Sequence, residues 1–331
     1  MVGGAGYIGS HVCKQLKQKG FTPVVYDNLS TGHRALVKWG PFAQGELEDE
    51  ARLSEVMTRY KAVAVMHFAA SSYVGESVTN PEKYYMNNVL GTLKLLRVMR
   101  RHDLNTLIFS STCATYGEAK QIPIPLDHPQ APINPYGVGK RLVEQVLEDY
   151  AHAYGFKSIS LRYFNAAGSD ALGESYEKHL PETHLIPLAI QAALNPQSSL
   201  TLFGEDYETP DGSCIRDYIH VTDLADAHIL SLQALLDGQP TRLAYNLGNG
   251  TGFSVKEVIQ CVEKVTGKKV AVVSGERREG DPPILIGDAK EALQELHWKP
   301  QHSSLENIVS TAVTGYSKAY RDNGKEAENH S

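Results

Sequence analysis

Three glycines spaced three apart, Gly3, Gly6 and Gly9, open this 331-residue chain and run straight into an amphipathic stretch. Without a Cβ, such a turn lets the backbone come close to a bound group. The helix behind it points free N–H groups and the positive end of its dipole at the same spot. The turn reads Gly3-Gly4-Ala5-Gly6-Tyr7-Ile8-Gly9-Ser10-His11. Alone it is a weak signal, because many glycine-rich turns bind nothing. Its context strengthens it: Val24-Val25-Tyr26 follow the helix, then Asp27, 18 residues beyond Gly9. A carboxylate there can accept hydrogen bonds from adenosine ribose hydroxyls and would repel a 2′-phosphate. The pattern therefore predicts a dinucleotide site that favours NAD over NADP. The bland alternative for Asp27 is a loop carboxylate. A whole apolar strand should precede such a turn, yet Met1-Val2 alone stand before Gly3. A shortened or misassigned start is expected, the alternative being a cropped central strand.

The first half alternates short apolar runs with helical periodicity. Residues 24–26, 63–66, 107–109 and 158–161 read as buried strands, and residues 12–19, 53–60, 89–100 and 141–154 as helices. That alternation predicts an α/β fold, a Rossmann-type doubly wound parallel sheet covered on both faces. Gly, Pro, Asp and Thr crowd residues 168–216, so a smaller mixed α/β substrate lobe is expected beyond residue 165. The expected division is an NAD-binding domain over 1–165, its first strand cut short, and a substrate lobe over 166–331, some of whose segments return to the first domain. Residues 254–266 read as a helix with Ser254 at its N-cap. The tail past Arg321 reads as frayed.

Composition excludes several classes. Net charge is −6, which argues against nucleic-acid binding. No apolar run approaches the ~18 residues of a membrane span, and no signal-peptide pattern opens the chain. Cys13, Cys113, Cys214 and Cys261 form no CxxC pair, so reduced thiols and a cytoplasmic location are expected. The 13 histidines show no HxxxH or HExxH spacing, and no metal site is expected. His67 reads as structural, His220 and Asp223 as a loop tie and a helix cap, and Tyr84, Tyr85 and Trp298 as packing residues.

Chemistry is suggested by Tyr136 and Lys140, at i and i+4 on a helix opened by Pro135. A cation beside a phenol favours phenolate and makes it a usable general base. Chance supplies YxxxK on many helices. Here it follows, one strand and one loop later, Ser110-Ser111-Thr112, at the strand end where parallel sheets bind ligands. Cys113 has no suitable His nearby and reads as a small wall residue.

Taken in order, GGAGYIGSH, HFAA with VGES, FSSTCATYG, NPYGVGK, LRYFNAAG, IRDYIHVTDLA and RREGD span nearly the whole chain. With these motifs the sequence resembles the extended short-chain dehydrogenase/reductase family, and within it the UDP-glucose 4-epimerases. The resemblance implies NAD as cofactor and a UDP-sugar as substrate. Oxidation at C4 would be transient, the 4-keto sugar would turn about its pyrophosphate, and the returning hydride would invert C4. It gives Tyr136 the proton of the sugar 4-hydroxyl, with Thr112 on the same oxygen, where relatives often have Ser. Lys140 would lower the Tyr136 pKa and contact the nicotinamide ribose.

For the cofactor the resemblance implies Gly3, Gly6, Tyr7, Ile8 and Gly9 at the turn and Asp27, Asn28 and on to Gly32 at the ribose. Glu46 and Leu47 would flank the adenine, Phe68, Ala69 and Asn87 would line the pocket, and Phe164 would lie beside the nicotinamide. Glu46 replaces a common Asp, and Ser72 stands where some relatives place a Lys near the pyrophosphate. For the substrate it implies Asn165, His184, Leu185, Thr201, Phe203, Arg216, Arg278, Asp281 and Leu285. Arg216 and Arg278 suit a diphosphate. His184 stands where relatives often have Asn, and Leu285 borders the sugar, where size decides whether an N-acetyl group fits. A homodimer packed through the Val89 and Tyr136 helices is also implied. Rival readings are epimerisation of the N-acetylated pair or of UDP-pentoses, a nucleotide-sugar 4,6-dehydratase and a non-catalytic NAD sensor. The dehydratase would need an Asp-Glu pair where Cys113-Ala114 stand, and sensors lose the Tyr or the Lys.

Overall fold

The structure, a computed structural model, describes residues 1–278 and 281–328. Its strands are β1 (Val25–Asp27), β2 (Phe42–Gln44), β3 (Val65–His67), β4 (Thr106–Thr112), β5 (Lys157–Tyr163), β6 (Asn165–Ala167), β7 (Leu200–Phe203), β8 (Ile215–His220), β9 (Ala244–Leu247), β10 (Gly252–Ser254), β11 (Val272–Gly275) and β12 (Ile284–Leu285). The main helices are α1 (Tyr7–Gln18), α2 (Glu50–Tyr60), α3 (Gly91–Arg101), α4 (Pro135–Tyr154), α5 (Leu185–Leu194), α6 (Val221–Leu236), α7 (Val255–Thr266) and α8 (Leu305–Glu328).

One parallel sheet carries the first half. β1 pairs with β2, and β3, β4, β5 and β9 follow one another side by side. The two parts meet through Val2, which bridges Tyr26 on one side and His67 on the other. Val2 N–H donates to Met66 O at 2.9 Å, Phe68 N–H to Val2 O at 2.8 Å and Gly3 N–H to Tyr26 O at 2.9 Å. Met1 and Val2 thus serve as the central strand, and the turn is held where a full strand would hold it.

Successive strand side chains point to opposite faces. Ile108 enters a core with Val12 and Leu16 of α1 and Leu224 and Leu232 of α6. Its neighbours Leu107 and Phe109 enter the other, with Leu53 of α2, Leu95 and Leu96 of α3, and Val143 and Leu147 of α4. This is the doubly wound arrangement read from the alternating pattern. The second half contributes α6 and β9 to this layer, while α5, α7 and α8 share a separate core with Ala167 of β6, Leu200 of β7 and Tyr218 of β8. In that region β8 pairs with β6 and β12 in parallel and with β10 antiparallel, and β7 pairs with β11.

Several boundaries differ from the sequence reading. α1 begins at Tyr7, because the first turn belongs to the glycine loop and does not show apolar periodicity. Residues Tyr85–Leu90 wind as a π-helix ahead of α3, and β3 starts at Val65 while Val63 stays exposed. Ser254 caps α7 in a capping box with Glu257. α8 runs past Arg321 to Glu328, where fraying was expected, and residues 329–331 lie outside the described residues. No helix among the described residues is long and apolar enough to cross a membrane.

Candidate active site

At the glycine turn, α1 starts from Gly6 with no side-chain cap and no acidic residue in its first turn. Its first turn thus has neither a side-chain cap nor a carboxylate against the positive end of its dipole. A Cβ on Gly6 would touch nothing of the protein nearer than Gly3 O, at 3.4 Å. Packing does not require glycine there, and the space suits a group laid against the backbone. Asp27 is buried, and burial raises its pKa while two backbone bonds oppose the rise. Those bonds come from Ala5 N–H and Leu29 N–H, both at 2.9 Å, so Asp27 also ties the turn to the following loop. Asn28 donates to Glu46 at 2.8 Å, which brings these two expected ribose and adenine contacts together. Leu47 is buried among core side chains. Phe68 and Ala69 both donate to Val2 O beside the turn. Ser72 is exposed. Asn87 donates to Asn88 at 2.8 Å, and it is the buried Asn88 that holds Ser71 through two bonds.

The chemistry gathers at the end of β4. Asn134 caps α4 through Gly137 N–H, and Pro135 fits the first helical position. A Cβ on Gly137 would lie 2.4 Å from Ala114 O, so glycine is what lets this helix approach the Thr112–Thr115 turn closely. Thr112 stands close enough there to act on the Tyr136 phenol, opposing the rise in its pKa. Lys140 Nζ donates to Ser110 O at 2.7 Å and lies 5.9 Å from the Tyr136 ring centre.

Electrostatics here differ from the sequence reading. Burial, with Tyr163 nearby, pushes the Tyr136 phenol above its usual range, and the Thr112 bond opposes it. Burial also lowers Lys140 to about 7, with Glu144 pulling the other way. Burial thus weakens Lys140 as a cation that would favour phenolate on its neighbour. Either charge alone is costly in this dry site, but phenolate with ammonium is a compensated pair. Loss of the phenolic proton is easiest while Lys140 keeps its own.

Phe164, Leu285 and Cys113 pack in one apolar cluster with Tyr116 and Ile124, which joins the expected nicotinamide and sugar contacts. Burial pushes the Cys113 thiol up to about 12, as fits a wall residue. Asn165 donates to Asp217 O at 2.8 Å. Leu285 is register-paired with Arg216, which forms a salt bridge to Asp281. Thr201 and Phe203 lie on the exposed face of β7, and the Arg278 guanidinium sits 4.0 Å from the Phe203 ring centre. Glu279 and Gly280 of the RREGD motif lie outside the described residues.

Sequence reasoning missed three features. Arg162 and Glu144 form a buried ion pair between β5 and α4, and Ser111 and Gln130 also donate to Glu144. No local pattern links residues in contact across a fold. Asp217 is fully buried and accepts from the N–H groups of Asn249, Gly250 and Gly287, its pKa pushed up to about 6 by burial. His184 meets Glu177 and Glu182 at 3.0 and 2.8 Å, with His179 beside them. The spacing EKHLPETH was the available signal. The smaller readings fare unevenly. His67 bonds Thr92 inside the core, His220 caps α6, and Asp223 holds residues 301–303. Tyr84 and Trp298 are buried, but Tyr85 is 38% exposed.

The sequence profile of the NAD dependent epimerase/dehydratase family matches residues 1–248. The chain belongs to this family. The UDP-glucose 4-epimerase of Rhizobium meliloti (strain 1021) is 51% identical over 318 residues, 96% of each chain. The crystal structure of UDP-glucose 4-epimerase from Brucella ovis, in complex with NAD, is 52% identical. It superposes with a TM-score of 0.93 over 95% of this chain and 97% of its own. The UDP-Glc/GlcNAc 4-epimerase from Campylobacter jejuni is 41% identical, with a TM-score of 0.83 over 96% and 98%.

Proposed function

We propose that this protein is a UDP-glucose 4-epimerase, interconverting UDP-glucose and UDP-galactose by oxidising the sugar at C4 and reducing it again from the other face. The observation that carries the reading is the placing of Tyr136 with Lys140, itself held by Ser110 O, at the end of β4 that Thr112 closes, beside an apolar wall of Cys113, Phe164 and Leu285. Bound at the glycine turn and Asp27, NAD⁺ supplies a two-electron acceptor for the C4 hydrogen. Tyr136 takes the proton of the 4-hydroxyl, Thr112 orients that oxygen, and Lys140 balances the phenolate charge while held by Ser110. Arg216 and Arg278 hold the diphosphate end. An apolar wall offers the hexose few hydrogen bonds, which leaves it free to turn while its nucleotide stays clamped.

A second reading extends the substrate to the N-acetylated pair. Supporting it are Leu285, smaller than a tyrosine at the edge of the sugar site, and the 41% identical relative named a UDP-Glc/GlcNAc 4-epimerase. A 4,6-dehydratase lacks support because Cys113 and Ala114 provide no carboxylic acid after Thr112. We also propose a cytoplasmic homodimer serving galactose metabolism. Exposed Tyr85 and Met86 ahead of α3 and Leu142 on α4 support its interface, and four free cysteines support its compartment. Light scattering after gel filtration tests the dimer, with a monomer mass refuting it. Proton NMR of the protein incubated with UDP-galactose tests the function. Anomeric signals of UDP-glucose should grow to a mixture, and an unchanged spectrum with NAD bound would refute it.

A further inference from the structure

Four side chains in the eight residues before α5 converge on one point. Glu177, His179, Glu182 and His184 each offer a ligand atom, and these atoms lie within 4.8 Å of one another. His184 Nδ1 is 3.0 Å from Glu177 and 2.8 Å from Glu182, and His179 Nδ1 is 3.3 and 3.5 Å from the same two carboxylates. Ligand atoms bound to zinc at about 2.0 Å in a tetrahedron stand about 3.3 Å apart; the nitrogen–oxygen separations, which reach Oε2 of Glu182 from His179 and Oε1 from His184, fall around that value.

Ion pairing alone explains the arrangement less well. His179 Nδ1 is shielded from water yet makes no aligned hydrogen bond to either carboxylate. The two imidazole ring centres lie 4.9 Å apart, so both rings face the same two acids. With a divalent ion at that point, neutral imidazoles give nitrogen lone pairs, and two carboxylates balance the ion. Two imidazole nitrogens and two carboxylate oxygens form a donor set suited to zinc.

We propose that Glu177, His179, Glu182 and His184 bind one Zn²⁺, which fastens the 177–184 segment between the start of α1 and the head of α5. The segment has the contacts for this. His179 packs edge-on against Tyr7 at 6.3 Å and Tyr73 at 6.5 Å, and the Tyr73 hydroxyl donates to Pro181 O at 3.1 Å. Ligation through Nδ1 leaves His184 its Nε2 for a substrate. The ion is structural, sitting beside the glycine turn and holding the loop that leads into Leu185. These ligands come from a loop, so they lack the helical spacing of HxxxH or HExxH.

Tag-free full-length protein, stripped with a chelator, is titrated with Zn²⁺ against a chromophoric competitor and melted with and without one equivalent of Zn²⁺. One ion per chain and a raised melting temperature are expected. Loss of a partner one shell further out costs about 10–100-fold in metal affinity, so His179→Asn and Glu182→Gln should each weaken binding by about tenfold or more. His297→Asn, exposed and outside the cluster, should leave it unchanged. If one variant fails to fold, the other and the parent stoichiometry still decide. No stoichiometric binding by the parent, or equal binding by parent and cluster variants, overturns the proposal.

Discussion

Glu144→Gln isolates the buried pair that joins the catalytic helix to the sheet. The substitution keeps volume, so no cavity confuses the result. Glu144 is 3% exposed and Arg162 8% exposed. Arg162 Nε donates to the two Glu144 oxygens at 3.0 and 3.2 Å, and its NH2 donates to Oε2 at 2.6 Å. With a neutral amide in place of the carboxylate, the guanidinium keeps Tyr116 and Leu126 O as acceptors but loses its counter-charge. Breaking a buried pair by removing one partner costs about 3–5 kcal/mol. At roughly 2–3 kcal/mol per molar urea, that lowers the unfolding midpoint by roughly 1–2.5 M with an unchanged slope. A second effect reaches the active site. Glu144 is the group that raises the pKa of Lys140, already lowered to about 7 by burial. Without it, Lys140 loses its proton at lower pH, and epimerase activity should begin to fall at lower pH as pH rises. A midpoint loss worth less than about 1 kcal/mol would place the pair with ordinary surface bridges and refute the reasoning. An unmoved pH limb would separate Glu144 from Lys140.

Three further outcomes are expected. Lys140→Met should abolish measurable epimerisation yet unfold at pH 7 no more easily than the parent, because it removes a cation buried at a cost. The folded pKa of about 7 lies below the ordinary 10.5, so the unfolded chain binds this proton more tightly. Parental stability therefore gains a rising contribution from about pH 7 toward pH 10 that the variant lacks, as urea midpoints at pH 7 and pH 9 would show. Gly287→Ala places a Cβ 2.2 Å from Phe164 Cε2 and must displace that ring. It should cost about 1–3 kcal/mol and loosen the cofactor, measured as nucleotide released by gel filtration. Leu285→Tyr should suppress any activity on UDP-N-acetylhexosamines selectively, and equal loss on both sugar classes would count against a size gate.

The parts legible in the sequence are those set by local rules. The glycine turn, Asp27 after the next strand, Pro135 and Asn134 opening the Tyr136 helix, and Ser254 with Glu257 each express backbone or capping chemistry within a few residues. The alternating faces of β4 were equally readable, since Leu107, Ile108 and Phe109 could be buried on both sides in a covered parallel sheet and nowhere else. Long-range pairing was not. Nothing near Asp217 says that it will accept N–H groups from residues 249, 250 and 287, and nothing near Glu144 names Arg162. Lys140 shows both cases. Its spacing to Tyr136 is local, whereas its lowered pKa comes from complete burial under surrounding elements. Tyr85 lies in a π-helical stretch and is 38% exposed, a register that no apolar period signals.

The most direct test of the central claim follows one hydrogen atom. UDP-galactose carrying deuterium at C4 is incubated with the protein and with Tyr136→Phe in ordinary water, and the UDP-glucose formed is analysed by NMR and mass spectrometry. If C4 is oxidised and re-reduced within a sealed site, the parent product keeps its deuterium at C4 and the variant forms product at least about 100-fold more slowly. Exchange of the label with solvent, or epimerisation undiminished without the Tyr136 hydroxyl, would contradict the account.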